Sequence, residues 1–476
     1  MSPVSERAAQ VRFRRALSLM TMTLVAPGSA QLVAGNRRVG TVAFRIWLGL
    51  LAVGLATLLA LVADRGLALT LAFNTSLLLL LKLVLFALAI GWAALFVDAW
   101  RIGAPLSYGL RHRRASVAVN GLLCFGVAGT LLFGAHLVGV QRDLTLALSG
   151  SGGSSSAHDG RINVLLMGGD SGDGRWGLRP DSMNIASIDV ETGRTVLVAL
   201  PRNMAKFPFK QGSVMAEQFP QGFDCDGCYL NGVSTWAQDH TDLFPDSDNP
   251  GVDATIMGIE GITGLSINYW AMVNLQGFKD LVNAVGGVTL TVRQPIPVGG
   301  LGSDVTGYID PGTRKLDGFE TLWYARAREG SDDYSRMARQ KCVMSAMLAQ
   351  VSPQKVVTNF ASLAKASAAM ISTNIPAGDF DTLAELALKA RGQKISTLSL
   401  VPPMINTGDP DIDLVRSKVA EAIDRAEGEA PAAPAPKPKG RKQQSAATTQ
   451  PVTGGSIGSL KEGYAANQAE DLGSTC

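Results

Sequence analysis

Residues 162–172 read INVLLMGGDSG, and the reading of this stretch decides the fold. Ile162 to Met167 is an apolar run of strand length, and it delivers two glycines and an aspartate at its end. Comparable runs at Thr195 to Leu200 and Val288 to Val292 alternate with stretches of helical periodicity, such as Arg336 to Gln350 and Thr382 to Ala390. That alternation predicts an α/β domain with a central mixed sheet flanked by helices, over residues 161–427. The span is long enough to bury a sizeable core.

Upstream of this domain the composition changes twice. Ser149 to Asp159 reads SGSGGSSSAHD, which predicts a flexible linker over residues 141–160. Before it lie three apolar runs within residues 41–140, about Thr41 to Ala63, Leu67 to Val97 and Val117 to Val140. Each is long enough to cross a hydrocarbon core of ~30 Å, so a multi-span helical membrane region is expected. Residues 1–40 differ, because Pro27 and Gly28 interrupt the stretch from Leu17 to Gly35. A re-entrant or interfacial hairpin follows, since both residues are costly inside a helix. Arg12, Arg14, Arg15, Arg37 and Arg38 precede the first run, and Arg101, Arg111, Arg113 and Arg114 separate the second from the third. Arginines collect on the cytoplasmic side, which predicts an internal N-terminus and an extracytoplasmic domain after Val140. Lys82 falls inside the second run, as a snorkelling or bundle-buried lysine or as a contact for a lipid phosphate.

Downstream, residues 428–458 are rich in Ala, Pro, Lys, Gln and Thr without apolar periodicity, the signature of disorder. Residues 459–476 regain an ordinary composition and end on Cys476, which predicts that this segment docks back on the domain. Cys225, Cys228, Cys342 and Cys476 all fall in the part expected outside the cytoplasm, an oxidising setting. The pairing expected is Cys225 with Cys228 and Cys342 with Cys476. Three connectivities are open to four cysteines, Cys342 also fits a buried apolar position, and Cys225-Asp-Gly-Cys228 also has the spacing of a redox pair.

The net charge of +3 decides little, but the chain has only four histidines, of which His240 alone lies in the domain. Histidine-based catalysis and a histidine-rich metal site are thereby disfavoured. The glycines after the first strand are not a Walker loop, for no Gly-Lys-Ser/Thr follows, and the GDSG string lacks a suitably placed histidine for a serine protease.

Other residues complete the pattern: Arg179-Pro180-Asp181, the corner Leu200-Pro201-Arg202-Asn203 with Lys206 beyond it, Tyr324-Ala325-Arg326-Ala327-Arg328, and Asp333 to Arg336, Arg339 and Gln340. Arg326 and Arg328 are two residues apart, which on an extended segment turns both guanidinium groups to one side. Arg336 and Gln340 share a helical face. Each block alone reads as a solvated arginine or a surface ion pair. Together they suggest acids for a metal and arginines for phosphate, because planar guanidinium forks match phosphate oxygens and oxygen ligands suit Mg²⁺.

At this point the sequence resembles the LytR-CpsA-Psr family of cell-wall glycopolymer transferases. The resemblance is carried by Asn163 to Asp170, Arg179-x-Asp181-Ser-Met, Leu200-Pro-Arg202, Gly258-Ile-Glu-Gly-Ile-Thr-Gly-Leu, Val285-Gly-Gly-Val, Leu316-Asp-Gly, and the block from Tyr324 to Gln340. It covers about Arg161 to Leu414. It implies transfer of a polymer from a polyprenyl-pyrophosphate-linked glycan, a membrane lipid, onto peptidoglycan, assisted by Mg²⁺ (or Mn²⁺). By position it implies Asp170 and Asp181 as metal ligands. Arg179, Arg202, Lys206, Arg326, Arg328, Arg336 and Gln340 would bind substrate, with Asp181, Arg202 and Asp333 at the reacting centre. The chain departs from the family at Gly172, where an arginine is usual, and at Asn203, where an aspartate is usual; Arg175 is the candidate to replace the first in space. An apolar tunnel for the isoprenoid tail is also implied. The alternatives are a polyprenyl-pyrophosphate phosphatase, with water as acceptor, and a non-catalytic lipid-binding or regulatory membrane protein. Nucleic acid is not an expected partner, since no helix-turn-helix is present in the short cytoplasmic parts.

Overall fold

The computed structural model describes residues 3–63, 66–107, 109–150, 152–153, 155–169, 179–300, 302–350, 371–428, 467–474 and 476. Two compact units make up the chain, Met1–Leu146 and Ala147–Cys476.

The first unit is helical. Helix α1 (Pro3–Val25) and α2 (Ser29–Ala34) are separated at Ala26–Gly28, where Gly28 takes a left-handed φ of 89°. Next come α3 (Arg37–Ala63), α4 (Gly66–Phe73), α5 (Thr75–Ile102) and α6 (Leu110–Leu148). The segment before the first apolar run packs on α5: Trp92 Nε1 donates to Thr23 O at 3.0 Å, and Gln31 Nε2 donates to Leu95 O at 3.0 Å and Asp98 Oδ2 at 3.2 Å. The second apolar run is not one helix from Leu67. Asn74 interrupts it, and its Oδ1 accepts from Ser76 N at 3.1 Å and Leu77 N at 3.0 Å, so a capped helix restarts at Thr75. Three helices, over Arg37–Ala63, Thr75–Ser107 and Leu110–Ala147, are long and apolar enough to cross a membrane. Lys82 on α5 is half-buried, and a Cβ added at Gly139 of α6 would lie 2.9 Å from its Nζ.

The second unit is built on strands β1 (Arg161–Gly169), β2 (Pro180–Asp189), β3 (Thr195–Leu200), β4 (Tyr269–Asn274), β5 (Val288–Val292), β6 (Ile296–Gly299), β7 (Val305–Ile309), β8 (Gly312–Leu316), β9 (Ile371–Thr373) and β10 (Ile395–Ser399). Its helices are α7 (Val214–Gln218), α8 (Val233–Gln238), α9 (Pro250–Thr263), α10 (Leu275–Ala284), α11 (Gly318–Arg326), α12 (Asp333–Gln350), α13 (Phe380–Arg391) and α14 (Ile412–Glu427). Six strands form one sheet in the order β10-β3-β2-β1-β4-β9. It is mixed: β1 runs parallel to β4 and antiparallel to β2, while β3 runs antiparallel to β2 and parallel to β10. Every residue of β3 is buried, as a central strand covered on both faces requires.

One core cluster joins this sheet to α9 and α14, through residues such as Ile185, Val198, Phe207, Ile259 and Val415. Gly261 of α9 makes that packing possible, because a Cβ there would stand 2.2 Å from Pro208 O. A second cluster gathers β5, β6, β8, α11 and α12 around Val288, Leu316, Tyr324 and Val343.

Ser149 to Asp159 does not hang free where it is described. Gly150 N donates to Ile375 O at 2.8 Å, Ser155 N donates to the Tyr269 hydroxyl at 3.0 Å, and Asn268 Nδ2 donates to Ser155 Oγ at 2.9 Å. The glycines that read as flexibility give close approach instead: a Cβ on Gly150 would meet Thr373 O at 2.0 Å.

At the other end, Gly428 caps α14 with a left-handed φ of 82°, and residues 429–466, which include nearly all of the expected disordered segment, lie outside the described residues. Residues 467–474 lie on the domain. Thr397 N donates to Glu470 O at 2.8 Å, Asn467 Nδ2 donates to Tyr334 O at 2.6 Å, and Asn467 and Leu472 are buried. Cys342 is bonded to Cys476 and Cys225 to Cys228, with Cα separations of 5.6 and 5.1 Å.

Candidate functional site

Strand pairing brings the site together. In the antiparallel ladder of β2 and β3, Met183 faces Leu200. Beyond that last pair, Asp181 at the start of β2 comes beside Arg202 in the turn that follows β3. Arg202 Nη1 donates to Asp181 Oδ1 at 2.6 Å. On the other side of β2, Gly168 pairs with Ser182 and Gly169 with Pro180, and in the parallel ladder Gly168 and Gly169 face Val273 and Asn274 of β4. One edge of the sheet therefore presents two glycines, a carboxylate and an arginine side by side.

Helix α12 lies against this edge and supplies the second acid. Asp333, in its first turn, accepts from Arg202 Nε at 3.2 Å through Oδ1 and from Arg336 Nη2 at 3.0 Å through Oδ2. Arg328 Nη1 stands 4.0 Å from the same Oδ1. Arg336 also donates to Asp181 O at 2.9 Å. Gln340, one turn on, accepts from Ser182 Oγ at 3.1 Å and donates to Ala325 O at 3.2 Å.

The segment carrying Arg326 and Arg328 is not extended. Tyr324 to Arg326 form the last turn of α11, and Ala327 and Arg328 lie just beyond its end. That helix end is held by Arg339, a member of the Asp333 to Gln340 block to which no role was assigned from its position. It is completely buried and donates to Tyr324 O and Ala327 O, filling the acceptor positions a helix leaves open at its C-terminus. Burial pushes the Arg339 pKa down to about 10, so the group remains a cation. Arg326 lies over the Trp323 ring, 5.2 Å from its centroid.

Several of these groups line a cavity of about 1020 Å³, whereas Asp333 stands behind Arg202 and Arg336 and is not part of its lining. Five arginines (Arg179, Arg202, Arg326, Arg328 and Arg336) face it, along with Asp181, Gln340, Gly168 and Gly169. Its remaining wall is largely apolar, with Leu275, Phe278 and Leu281 of α10 and Met344, Met347 and Leu348 of α12. From Arg336 to Met347 the helix advances on the order of 16 Å at 1.5 Å per residue, so the cavity passes from cationic to apolar along α12. Lys341 also lines it. Its ammonium is buried, 3.3 Å from Asn467 O and 3.5 Å from Thr397 Oγ1, and burial pushes its pKa down to about 7. Neither Lys341 nor Asn231, whose Nδ2 lies 3.5 Å from Asp181 Oδ1, stands out in the sequence.

Lys206 is not brought to the cavity lining; its ammonium stands 3.9 Å from Asp224 on a half-exposed loop. Asp170, Gly172 and Arg175 lie outside the described residues. Asn203 lines the cavity, and among the described residues its buried Oδ1 has no hydrogen-bond partner.

The charges are mutually dependent. Burial works against ionisation of Asp181, yet Arg202 by charge and hydrogen bond, with Arg336 and Asn231, holds its carboxyl below the ordinary range. Burial likewise disfavours charged Arg202, and Asp181 and Asp333 outweigh it, so its pKa is raised. Arg328 goes the other way: burial and repulsion from Arg202 and Arg336 lower its pKa more than Asp333 and Asp181 raise it. An anion placed among these arginines would relieve that repulsion.

Among the described residues no group of three or more His, Cys, Asp or Glu side chains could hold a metal. Asp181 is the acid that lines the cavity there, and its Oδ1 is engaged by Arg202.

The central strands of the α/β unit thus end on arginines that line a cavity whose remaining wall is largely apolar. The chain belongs to the LytR_cpsA_psr family, whose model matches residues 140–409. It is similar to "Biofilm regulatory protein A" of Streptococcus mutans, 25% identical over 55% of this chain and 61% of the relative. It is also similar to the "Polyisoprenyl-teichoic acid--peptidoglycan teichoic acid transferase TagU" of Oceanobacillus iheyensis, 26% identical over 50% of this chain and 66% of that protein. The chain thus spans less than two thirds of the length of either relative. Among solved structures, that of TagV of B. subtilis aligns with 58% of this chain and 100% of its own, at 21% identity and a TM-score of 0.41.

Proposed function

We propose that this protein is a phosphotransferase that moves a glycopolymer from a polyprenyl-pyrophosphate carrier onto a hydroxyl of peptidoglycan. The observation that carries the reading is the polarity of the cavity: five arginines at one end and an apolar wall at the other. That arrangement matches a lipid pyrophosphate, with charge at the head and an isoprenoid tail. Family membership supports it, and so does the activity named for the TagU relative.

In the step proposed, the acceptor hydroxyl oxygen forms a bond to the glycan-bearing phosphorus. The bond from that phosphorus to the bridging oxygen breaks, and polyprenyl phosphate leaves with the electron pair. The hydroxyl proton is released to water, because pairing with Arg202 makes the Asp181 carboxylate a weak base. Arg202, Arg328 and Arg336 stabilise charge on the transferred and departing phosphates, and Asp333 keeps Arg202 and Arg336 aligned. A Mg²⁺ (or Mn²⁺) ion held by Asp181 and Asp170 would neutralise phosphate charge when bound.

The three apolar helices serve as a multi-pass anchor with the N-terminus in the cytoplasm and the α/β unit outside. Alkaline phosphatase fused after Val140 should be active, and a fusion within Arg101 to Arg114 silent; the reverse would reject this placement. The function is tested with full-length protein in nanodiscs, a lipid-pyrophosphate-linked glycan and soluble peptidoglycan fragments. Covalent glycan-phosphate-peptidoglycan is the expected product. Release of free phosphoglycan with no conjugate would identify a phosphatase, and turnover of neither kind a lipid-binding protein.

A further inference from the structure

Tyr229 is 46% exposed, yet it lines the arginine-rich cavity, and no hydrogen bond or ring contact of its side chain is found among the described residues. Its support is rigid. On one side stands the Cys225–Cys228 bond; on the other, Leu230 is completely buried, with Leu230 N donating to Met204 O at 2.9 Å and Asn231 N to Arg202 O at 3.0 Å. Core packing alone does not account for an aromatic side chain left in solvent on a braced loop. Such a group offers a large contact face at little entropic cost.

Its position fixes what can reach it. Asn231 ties the loop to Arg202 through its backbone and approaches Asp181 through its side chain, so Tyr229 sits at the charged end of the cavity. The apolar wall on α10 and the far turns of α12 lies at the opposite end. A lipid tail that fills that wall leaves the mouth near Tyr229 for the second, polar substrate. Asn231, which lines the cavity with its Nδ2 3.5 Å from Asp181 Oδ1, adds an amide beside the ring. Pyranose rings carry both chemistries needed: C–H faces that pack on an aromatic ring and polar groups at the edge.

We infer that Tyr229, with Asn231, forms the acceptor subsite, where a pyranose of the glycan acceptor stacks on Tyr229 and directs its hydroxyl toward Asp181 and Arg202. The inference rests on the transferase reading and names the place of its second substrate.

Two measurements on the full-length protein test it. Calorimetric titration with a muropeptide oligosaccharide alone, without donor, should show binding to the wild type, weakened about tenfold in Tyr229→Ala and kept in Tyr229→Trp. In turnover, Tyr229→Ala should raise the KM for the same acceptor by a similar factor while donor affinity and melting temperature stay at wild-type values. Equal acceptor binding by wild type and Tyr229→Ala overturns the subsite, as does a loss confined to donor affinity. Wild-type protein that binds the oligosaccharide through Tyr229 but yields no conjugate would sink the transferase reading and leave the subsite standing.

Discussion

Arg202 and Asp333 are 131 positions apart in sequence and 3.2 Å apart in space, joined from Nε to Oδ1 while the same guanidinium reaches Asp181 with Nη1 at 2.6 Å. One planar fork thus bridges two carboxylates carried by different elements, the start of β2 and the first turn of α12. A lysine can reach two carboxylates through one nitrogen but lacks the planar, pre-organised fork that fixes both at once. Arg202→Lys should therefore lose transfer almost as fully as Arg202→Ala, by about 10²–10³ in kcat/KM, the cost of one preorganised charge-stabilising group. Steady-state turnover of both variants, with melting temperature as control, is the check. Near-normal rates in either would reject Arg202 as a phosphate ligand.

The Asp181 carboxyl is held below the ordinary range by Arg202 and Arg336 against the effect of burial. A group whose pKa is depressed on folding stabilises the fold above its unfolded pKa, about 3.9 for Asp, and that contribution disappears as pH falls through the folded value. The melting temperature of wild type should exceed that of Asp181→Asn at neutral pH, and the two should converge in acid below about pH 4. A gap that stayed constant into acid would show that the carboxylate charge contributes nothing.

Lys341 behaves oppositely. Burial lowers its pKa to about 7, whereas the unfolded chain protonates it up to about 10.4. Between those values the unfolded state binds more protons, so this residue makes stability rise with pH. Lys341→Met should raise the melting temperature near neutral pH and flatten the rise toward alkaline pH. A Met variant with the wild-type slope would disprove the assignment.

The bond between Cys342 and Cys476 closes a loop with a sequence separation of 134. Chain-entropy arguments set its contribution on the order of 3–5 kcal/mol. Cys476→Ser should lower the stability of the α/β unit by that order under oxidising conditions, and wild type with reductant, which also opens Cys225–Cys228, should lose at least as much. Denaturant titration in both redox states measures the difference; indistinguishable curves for oxidised and reduced wild type would count against the tether.

The sequence alone determined the features that depend on neighbours along the chain. Apolar length marked three candidate spans, β-branched runs marked β1, β3 and β5, Pro27 and Gly28 marked the break between α1 and α2, and the ordered blocks marked the family. Local reading failed where a distant partner overrides the local pattern. Gly150 looked flexible but closes on Thr373 O, and the period of two at Arg326 and Arg328 suggested extension until Arg339, thirteen positions past Arg326, closed the end of α11.

Only the tertiary structure decided which candidates share a site. Arg202 meets Asp181 because β2 and β3 pair in one antiparallel register, and Asp333 joins them because α12 is laid on that sheet edge. Lys206 looks equivalent in sequence but turns to Asp224 instead. Lys341, anonymous in the sequence, is enclosed by strand β10 and the returning chain end, through Thr397 and Asn467. A residue's type fixes what chemistry it can offer. Strand order and register, set by burial of the core over the whole domain, fix which groups come within hydrogen-bond reach.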